Sequence, residues 1–166
     1  MHAPILGSRP LRWPDEAACA AFADGLARAI RRQPELGDSY IEVSGPLGAG
    51  KTTFVRHLLR ALGVSGRIKS PSYAVLEPHA LPGLAISHFD FYRFADPREW
   101  ADAGLRDLFA APGLKLAEWP EHAAGQLPRP DLRLHIEPGA AASGEPDTLR
   151  EVQAQALSPR GQDLLR

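Results

Sequence analysis

The sequence predicts an α/β fold in three layers with a mixed, mostly parallel central sheet. Two observations carry that prediction. The apolar run Tyr40-Ile41-Glu42-Val43 leads into Gly45-Pro46-Leu47-Gly48-Ala49-Gly50-Lys51-Thr52-Thr53, and Phe54 to Leu62 follow at helical spacing. Strand, glycine-rich G-x-x-x-x-G-K-T loop and helix in that order form the P-loop arrangement of an NTPase fold, which implies a parallel core. Downstream, strand-like runs outnumber helical ones, and Leu81-Pro82-Gly83 reads as a hairpin turn, so the rest of the sheet is expected to be mixed.

Taken in order, residues 1–14 read as irregular, with a short strand near Leu11-Arg12-Trp13. Asp15 can cap a helix over 16–32, whose stripe is Phe22, Leu26, Ala29 and Ile30. Pro34 and Gly37 break the chain before a strand at 39–44. The helix at 51–62 buries Phe54, Val55, Leu58, Leu59 and Leu62, and Gly63 stops it. Residues 67–73 read as a loop, 73–77 and 84–89 as strands. Asp96-Pro97-Arg98-Glu99 has the form of a capping box and opens a helix that Pro112-Gly113 ends. Leu114 to Glu118 reads as a short strand. Leu132, Leu134 and Ile136 alternate, as do Val152, Ala154 and Ala156, so each set marks a half-buried strand. Residues 138–147 form a loop, and Ser158-Pro159 can start a terminal helix. The 166 residues make one domain, with an N-terminal segment and helix at 1–37 and a C-terminal strand and short helix at 138–166.

Composition narrows the function. Hydrophobic residues at 44% and charged residues at 23% describe an ordinary globular chain. A net charge of −1 gives no global attraction to nucleic acid or to a membrane surface. Cys19 is the only cysteine, so neither an internal disulfide nor a cysteine metal site is expected. No apolar run reaches membrane-spanning length, and Pro4, Gly7 and Pro10 interrupt any signal-peptide core. A cytoplasmic protein with no membrane partner is the expectation.

The glycine-rich loop explains itself chemically. Successive backbone N–H groups can surround a triphosphate only where side chains do not block approach, hence Gly45, Gly48 and Gly50, with Leu47, Ala49 and Thr53 completing the loop. The helix start adds unpaired N–H donors and the positive end of its dipole. Lys51 is placed to meet the β- and γ-phosphates, and the Thr52 hydroxyl suits Mg²⁺. Such a site needs an acid at the end of another strand, and Asp90 qualifies. Glu118 also ends an apolar strand; metal binding, orientation of an attacking water and a plain surface carboxylate all remain open for it. Ser70, Ser72 and Tyr73 follow the loop's helix, where γ-phosphate sensors often lie, or form a surface turn. His88 reads as a hydrogen-bonded strand-end histidine rather than a proton shuttle. Trp119 could stack on a base or pack at the sheet edge.

These pieces together resemble the TsaE family, also called YjeE, the P-loop ATPases of bacterial tRNA threonylcarbamoyladenosine synthesis. The resemblance rests on G-P-L-G-A-G-K-T-T at 45–53, K-S-P-S-Y at 69–73, H-F-D-F-Y-R at 88–93, D-P-R-E-W at 96–100 with G-L-R-D at 104–107, and E-W-P at 118–120. It runs from about residue 40 to 137, with Ser72 where the family pattern usually has Thr. It implies ATP hydrolysis to ADP with Mg²⁺, in complex with TsaD and TsaB, and contact with tRNA only through that complex. It also implies phosphate binding by Lys51, metal binding by Thr52 and Asp90, and a second metal or catalytic role for Glu118. Pro14-Asp15-Glu16 is similar to the family's nucleotide-approaching segment, with Glu16 as the contact, and Arg150 matches a late nucleotide-contacting arginine.

Two other classes compete. A small-molecule kinase would need an acceptor site and usually an arginine-bearing lid, and no compact arginine lid is evident. A non-catalytic nucleotide-binding scaffold would bind ATP and a partner without turnover; intact Lys51, Thr52, Asp90 and Glu118 argue against it. A GTPase would carry N-K-x-D or T-K-x-D, and neither occurs.

Overall fold

The computed structural model describes residues 4–68, 75–94, 104–139 and 148–166. Its strands are β1 (Gly7–Trp13), β2 (Tyr40–Ser44), β3 (Leu76–Leu81), β4 (Leu84–Asp90), β5 (Leu114–Glu118), β6 (Leu132–Pro138) and β7 (Arg150–Ala156). Its α-helices are α1 (Glu16–Arg32), α2 (Lys51–Leu62), α3 (Leu105–Ala110) and α4 (Pro159–Leu164). Short 3-10 turns cover Pro34–Asp38 and Pro120–Ala123. The strands form one seven-stranded sheet in the order β1-β7-β6-β2-β5-β4-β3. The four central strands β6, β2, β5 and β4 run parallel. The outer pairings β1–β7, β7–β6 and β3–β4 are antiparallel.

Local chemistry accounts for the elements. Asp15 caps α1 by accepting from the Ala18 N–H at 3.0 Å. Gly63 ends α2 in the left-handed region at φ 114°, and the Val64 N–H reaches back to the Leu59 carbonyl at 3.0 Å. Ser158 caps α4 through the Gly161 N–H, and Pro159 sits in its first turn. Both edge strands carry a proline, Pro10 in β1 and Pro78 in β3, where a missing N–H need not break a ladder.

Two cores hold the layers together. Ile41, Val43, Leu114, Leu116, Leu134 and Ile136 face α1 and α2, which contribute Leu26, Phe54, Leu58 and Leu59. Trp13 and Phe22 pack on Phe54 in the same layer, with ring centroids 6.0 and 6.2 Å from it. On the other face Tyr40, Phe89, Phe91 and Ala117 pack with Leu105, Leu108 and Phe109 of α3. β2 is buried on both sides from Tyr40 to Val43, so that part reads as an apolar run broken only by Glu42.

Two boundaries differ from expectation. β1 begins at Gly7 instead of near Leu11, because it pairs along its whole length with β7, a partner from the far end of the chain. β3 lies at 76–81, since its ladder with β4 continues to the pair Leu81 and Leu84 beside the Pro82-Gly83 turn. The expected start of that strand at Tyr73, the loop residues Ser70 and Ser72, the capping box at 96–99 and most of the 138–147 loop lie outside the described residues.

Candidate functional site

The site forms at the carboxyl ends of three parallel strands. β2 ends at Ser44 and passes into the Gly45–Gly50 loop, which opens α2 at Lys51. β5 lies beside β2 and β4 beside β5, in a register that places Asp90 level with Glu118. Loop and acids therefore meet in the crevice outside the strand ends, where open α/β sheets bind ligands. Positive φ at Gly45, Gly48 and Gly50 lets the loop curl, and a Cβ at Gly45 would lie 2.1 Å from the Ile136 carbonyl oxygen.

Leu47, Gly48, Gly50, Lys51, Thr52, Thr53, Asp90, Tyr92, Glu118, Trp119 and Arg150 line one cleft of about 350 Å³. The Lys51 ammonium donates to the Gly45 and Pro46 carbonyls, each at 2.7 Å, and lies 4.1 Å from the centre of the Trp119 ring. Burial pushes its pKa down, against the pull of Glu118, Glu121 and Asp90. The Thr52 hydroxyl donates to Glu118 Oε1 at 2.7 Å, which leaves its lone pairs free to meet a cation. His88 Nε2 donates to Glu118 Oε2 at 2.6 Å. Asp90 accepts from the Tyr92 N–H at 3.0 Å. Burial raises the Asp90 pKa and the neighbouring Glu118 charge adds to that rise, so this corner favours an added positive charge.

Two more expected residues come to the loop from far along the chain. Arg150 donates through Nε to the Ala49 carbonyl at 2.8 Å, bracing the loop at the edge of the cleft. Glu16 pairs with His57 Nε2 at 2.8 Å. Glu16 and Arg150 share a second cavity, about 170 Å³, with Trp13, Asp15, Cys19, Ala49, Gly50, Thr53 and Thr148. A larger cavity, about 770 Å³, opens beside Glu42, Ser44, Glu121 and Arg133, but neither Lys51 nor the Asp90–Glu118 pair lines it. Cys19 is buried and its thiol is pushed up to about 12, chiefly by desolvation, which disfavours the thiolate.

Sequence reasoning missed two features. Trp119 lies over the Lys51 ammonium and beside Tyr92, with ring centroids 5.0 Å apart, rather than only at a sheet edge. It is also the one non-glycine residue with positive φ, 55°, among the described residues. Its position directly after the strand-end Glu118 and before Pro120 was the available signal. The second is the partner of His88, Glu118, thirty residues away and visible only once β4 and β5 pair.

Strand, glycine-rich loop and helix inside a mixed seven-stranded sheet, with two acids at neighbouring strand ends, define an α/β protein of the class the sequence predicts. The profile of the family described as threonylcarbamoyl adenosine biosynthesis protein TsaE matches residues 13–145, and the chain belongs to that family. It is 37% identical over 124 residues to the tRNA threonylcarbamoyladenosine biosynthesis protein TsaE of Haemophilus influenzae, covering 75% of this chain and 78% of that one. It is 31% identical over 137 residues to the protein of that name from Streptomyces coelicolor, covering 81% and 90%. The crystal structure of Bacillus subtilis YdiB superposes with a TM-score of 0.72 over 96% of this chain and 92% of that one, and at 22% identity it speaks to the fold. The match extends the resemblance toward the N-terminus, taking in Trp13 and Glu16. No helix among the described residues is long and apolar enough to cross a membrane.

Proposed function

We propose that this chain is the P-loop ATPase component of tRNA N6-threonylcarbamoyladenosine modification, binding and hydrolysing Mg-ATP in complex with TsaD and TsaB. One observation carries the reading: Lys51, Thr52, Asp90 and Glu118 line one cleft with the Gly48 and Gly50 backbone. The names of the relatives support the pathway.

The residues fit the chemistry. The amides of Gly48 to Thr53 and the start of α2 would receive the phosphates. Lys51 would exchange its two loop carbonyls for phosphate oxygens, a charge-assisted contact that favours the ammonium. Thr52, Asp90 and Glu118 supply a hydroxyl and two carboxylates, a donor set for Mg²⁺ held jointly with phosphate. Bound Mg²⁺ would neutralise charge building on the transferring phosphoryl group. Glu118, level with Asp90 on the neighbouring strand end, would also serve to orient an attacking water. Glu16 and Arg150 flank the second cavity beside Gly50 and Thr53 and would meet the nucleoside side of ATP. tRNA is reached through the complex, and the setting is the cytoplasm.

Release of inorganic phosphate from Mg-ATP, measured with and without the TsaD–TsaB pair and with no tRNA or acceptor added, tests this reading. Slow release alone and a clear rise with the pair are expected. Equal release in both removes the partner dependence. Binding without release in either supports a scaffold, and consumption that needs a small-molecule acceptor supports a kinase.

A further inference from the structure

We propose that His88 is a positioning residue for Glu118: its imidazole holds the carboxylate so that one oxygen faces Thr52 and the cleft, without itself touching ATP. The inference rests on the ATPase reading of the same cleft.

A glutamate side chain has three rotatable torsions, so the β5 register fixes where Glu118 starts but not where its carboxylate points. Two contacts from separate elements remove that freedom. Thr52, from the first turn of α2, donates to Oε1 at 2.7 Å, and His88, from β4, donates to Oε2 at 2.6 Å. With one donor on each oxygen, the carboxylate plane is set. The pair is also shielded from solvent, since His88 and Glu118 are each 1% exposed, and water cannot readily substitute for the imidazole.

The other ring nitrogen separates a positioning role from a packing one. An ionised carboxylate only accepts, so in this bond Nε2 carries the proton. His88 Nδ1 is buried and has no hydrogen-bond partner among the described residues. A buried polar atom without a partner is a standing penalty in the folded state, and the bond from Nε2 to Glu118 is the compensating contact of this ring. Ile86, two residues earlier in β4, and Leu116, level with His88 in β5, are fully buried apolar side chains, while Glu77 lies level with His88 on the β3 side. A leucine could pack between Ile86 and Leu116 but could not donate to Glu118. His88 lies two residues before Asp90, so one strand delivers both an acid to the cleft and the support for the acid of the next strand.

Two variants test this in the full chain assayed with the TsaD–TsaB pair. His88→Leu fills the space without a donor, and His88→Gln brings an amide nitrogen close to the place of Nε2. His88→Leu is expected to lower kcat for phosphate release roughly 10–100-fold, the usual range for outer-shell partners, with the KM for ATP little changed. His88→Gln should recover most of the loss. In a crystal structure of His88→Leu, Glu118 should have left Thr52. Normal kcat in His88→Leu, or a loss in His88→Gln as large as in His88→Leu, would overturn the proposal. If the unmodified protein releases no phosphate with the pair, the ATPase reading fails, and the His88→Leu crystal structure alone decides. Glu118 still bonded to Thr52 there refutes positioning, and a displaced carboxylate sustains it.

Discussion

Lys51 shows how one residue's chemistry can be read from type and place. Its ammonium is satisfied by two carbonyls of its own loop and an aromatic face, contacts that a phosphate can replace. Lys51→Ala should weaken ATP binding by about 1.5–3 kcal/mol, roughly 10–150-fold, because the phosphate charge loses its partner. A nucleotide titration with unchanged affinity would remove the phosphate role. Glu42 offers a test in pH. Burial raises its pKa above 4.5, despite the Tyr40 hydroxyl at 2.8 Å and the Arg133 guanidinium at 3.3 Å. A raised carboxyl pKa contributes stability that is full below the unfolded value and is lost as pH rises through the folded value. Glu42→Gln should therefore flatten the fall in stability between the ordinary glutamate range and neutrality. Denaturant midpoints measured across that span would show it, and parallel curves for the two proteins would refute it.

Among elements, the strand–loop–helix unit was legible almost residue for residue, since its period, its glycines and its stop signal all lie within the unit itself. α1 was equally legible because Asp15 caps it through a bond three residues away. The edges of β1 and β3 were not, because a strand's length depends on its partner and these ladders are set elsewhere in the chain. The loop glycines can be told apart by experiment. Gly45→Ala should lose about 2–4 kcal/mol, since a Cβ there meets the Ile136 carbonyl and φ is 145°. Gly48→Ala should lose only about 1–2 kcal/mol, because no atom of the described residues lies within 4 Å of the added Cβ and only the positive φ resists. Equal losses in chemical denaturation would mean that the Ile136 contact does not constrain the loop.

On the scale of the whole molecule, both ends of the chain close one edge of the sheet. β1 covers β7, β7 covers β6, and β6 lies against β2, so the N-terminal strand shields the ladder that backs the glycine-rich loop. Asp131 ties the same region, accepting from the Tyr40 N–H and the Ser158 hydroxyl, each at 2.7 Å. Deleting residues 4–13 should uncover the unpaired edge of β7, lower stability and promote association through that edge. Light scattering and thermal unfolding would register both effects. A deletion variant that stays monomeric and as stable as the full chain would show that β1 is dispensable.

The sequence by itself determined the fold class and the loop that centres the site, and it offered Asp90 and Glu118 as candidate acids at strand ends. Each depends on residue types acting locally: glycines that permit positive φ, a lysine and a threonine at a helix start, and carboxylates that end apolar runs. Only the tertiary structure decided the strand order β2-β5-β4 that brings Glu118 and Asp90 level, the bond from His88 to Glu118, the place of Trp119 over Lys51 and the bracing of the loop by Arg150. Those contacts join residues tens of positions apart. No local preference encodes them, because they follow from which strands pair and in what register once the core is buried.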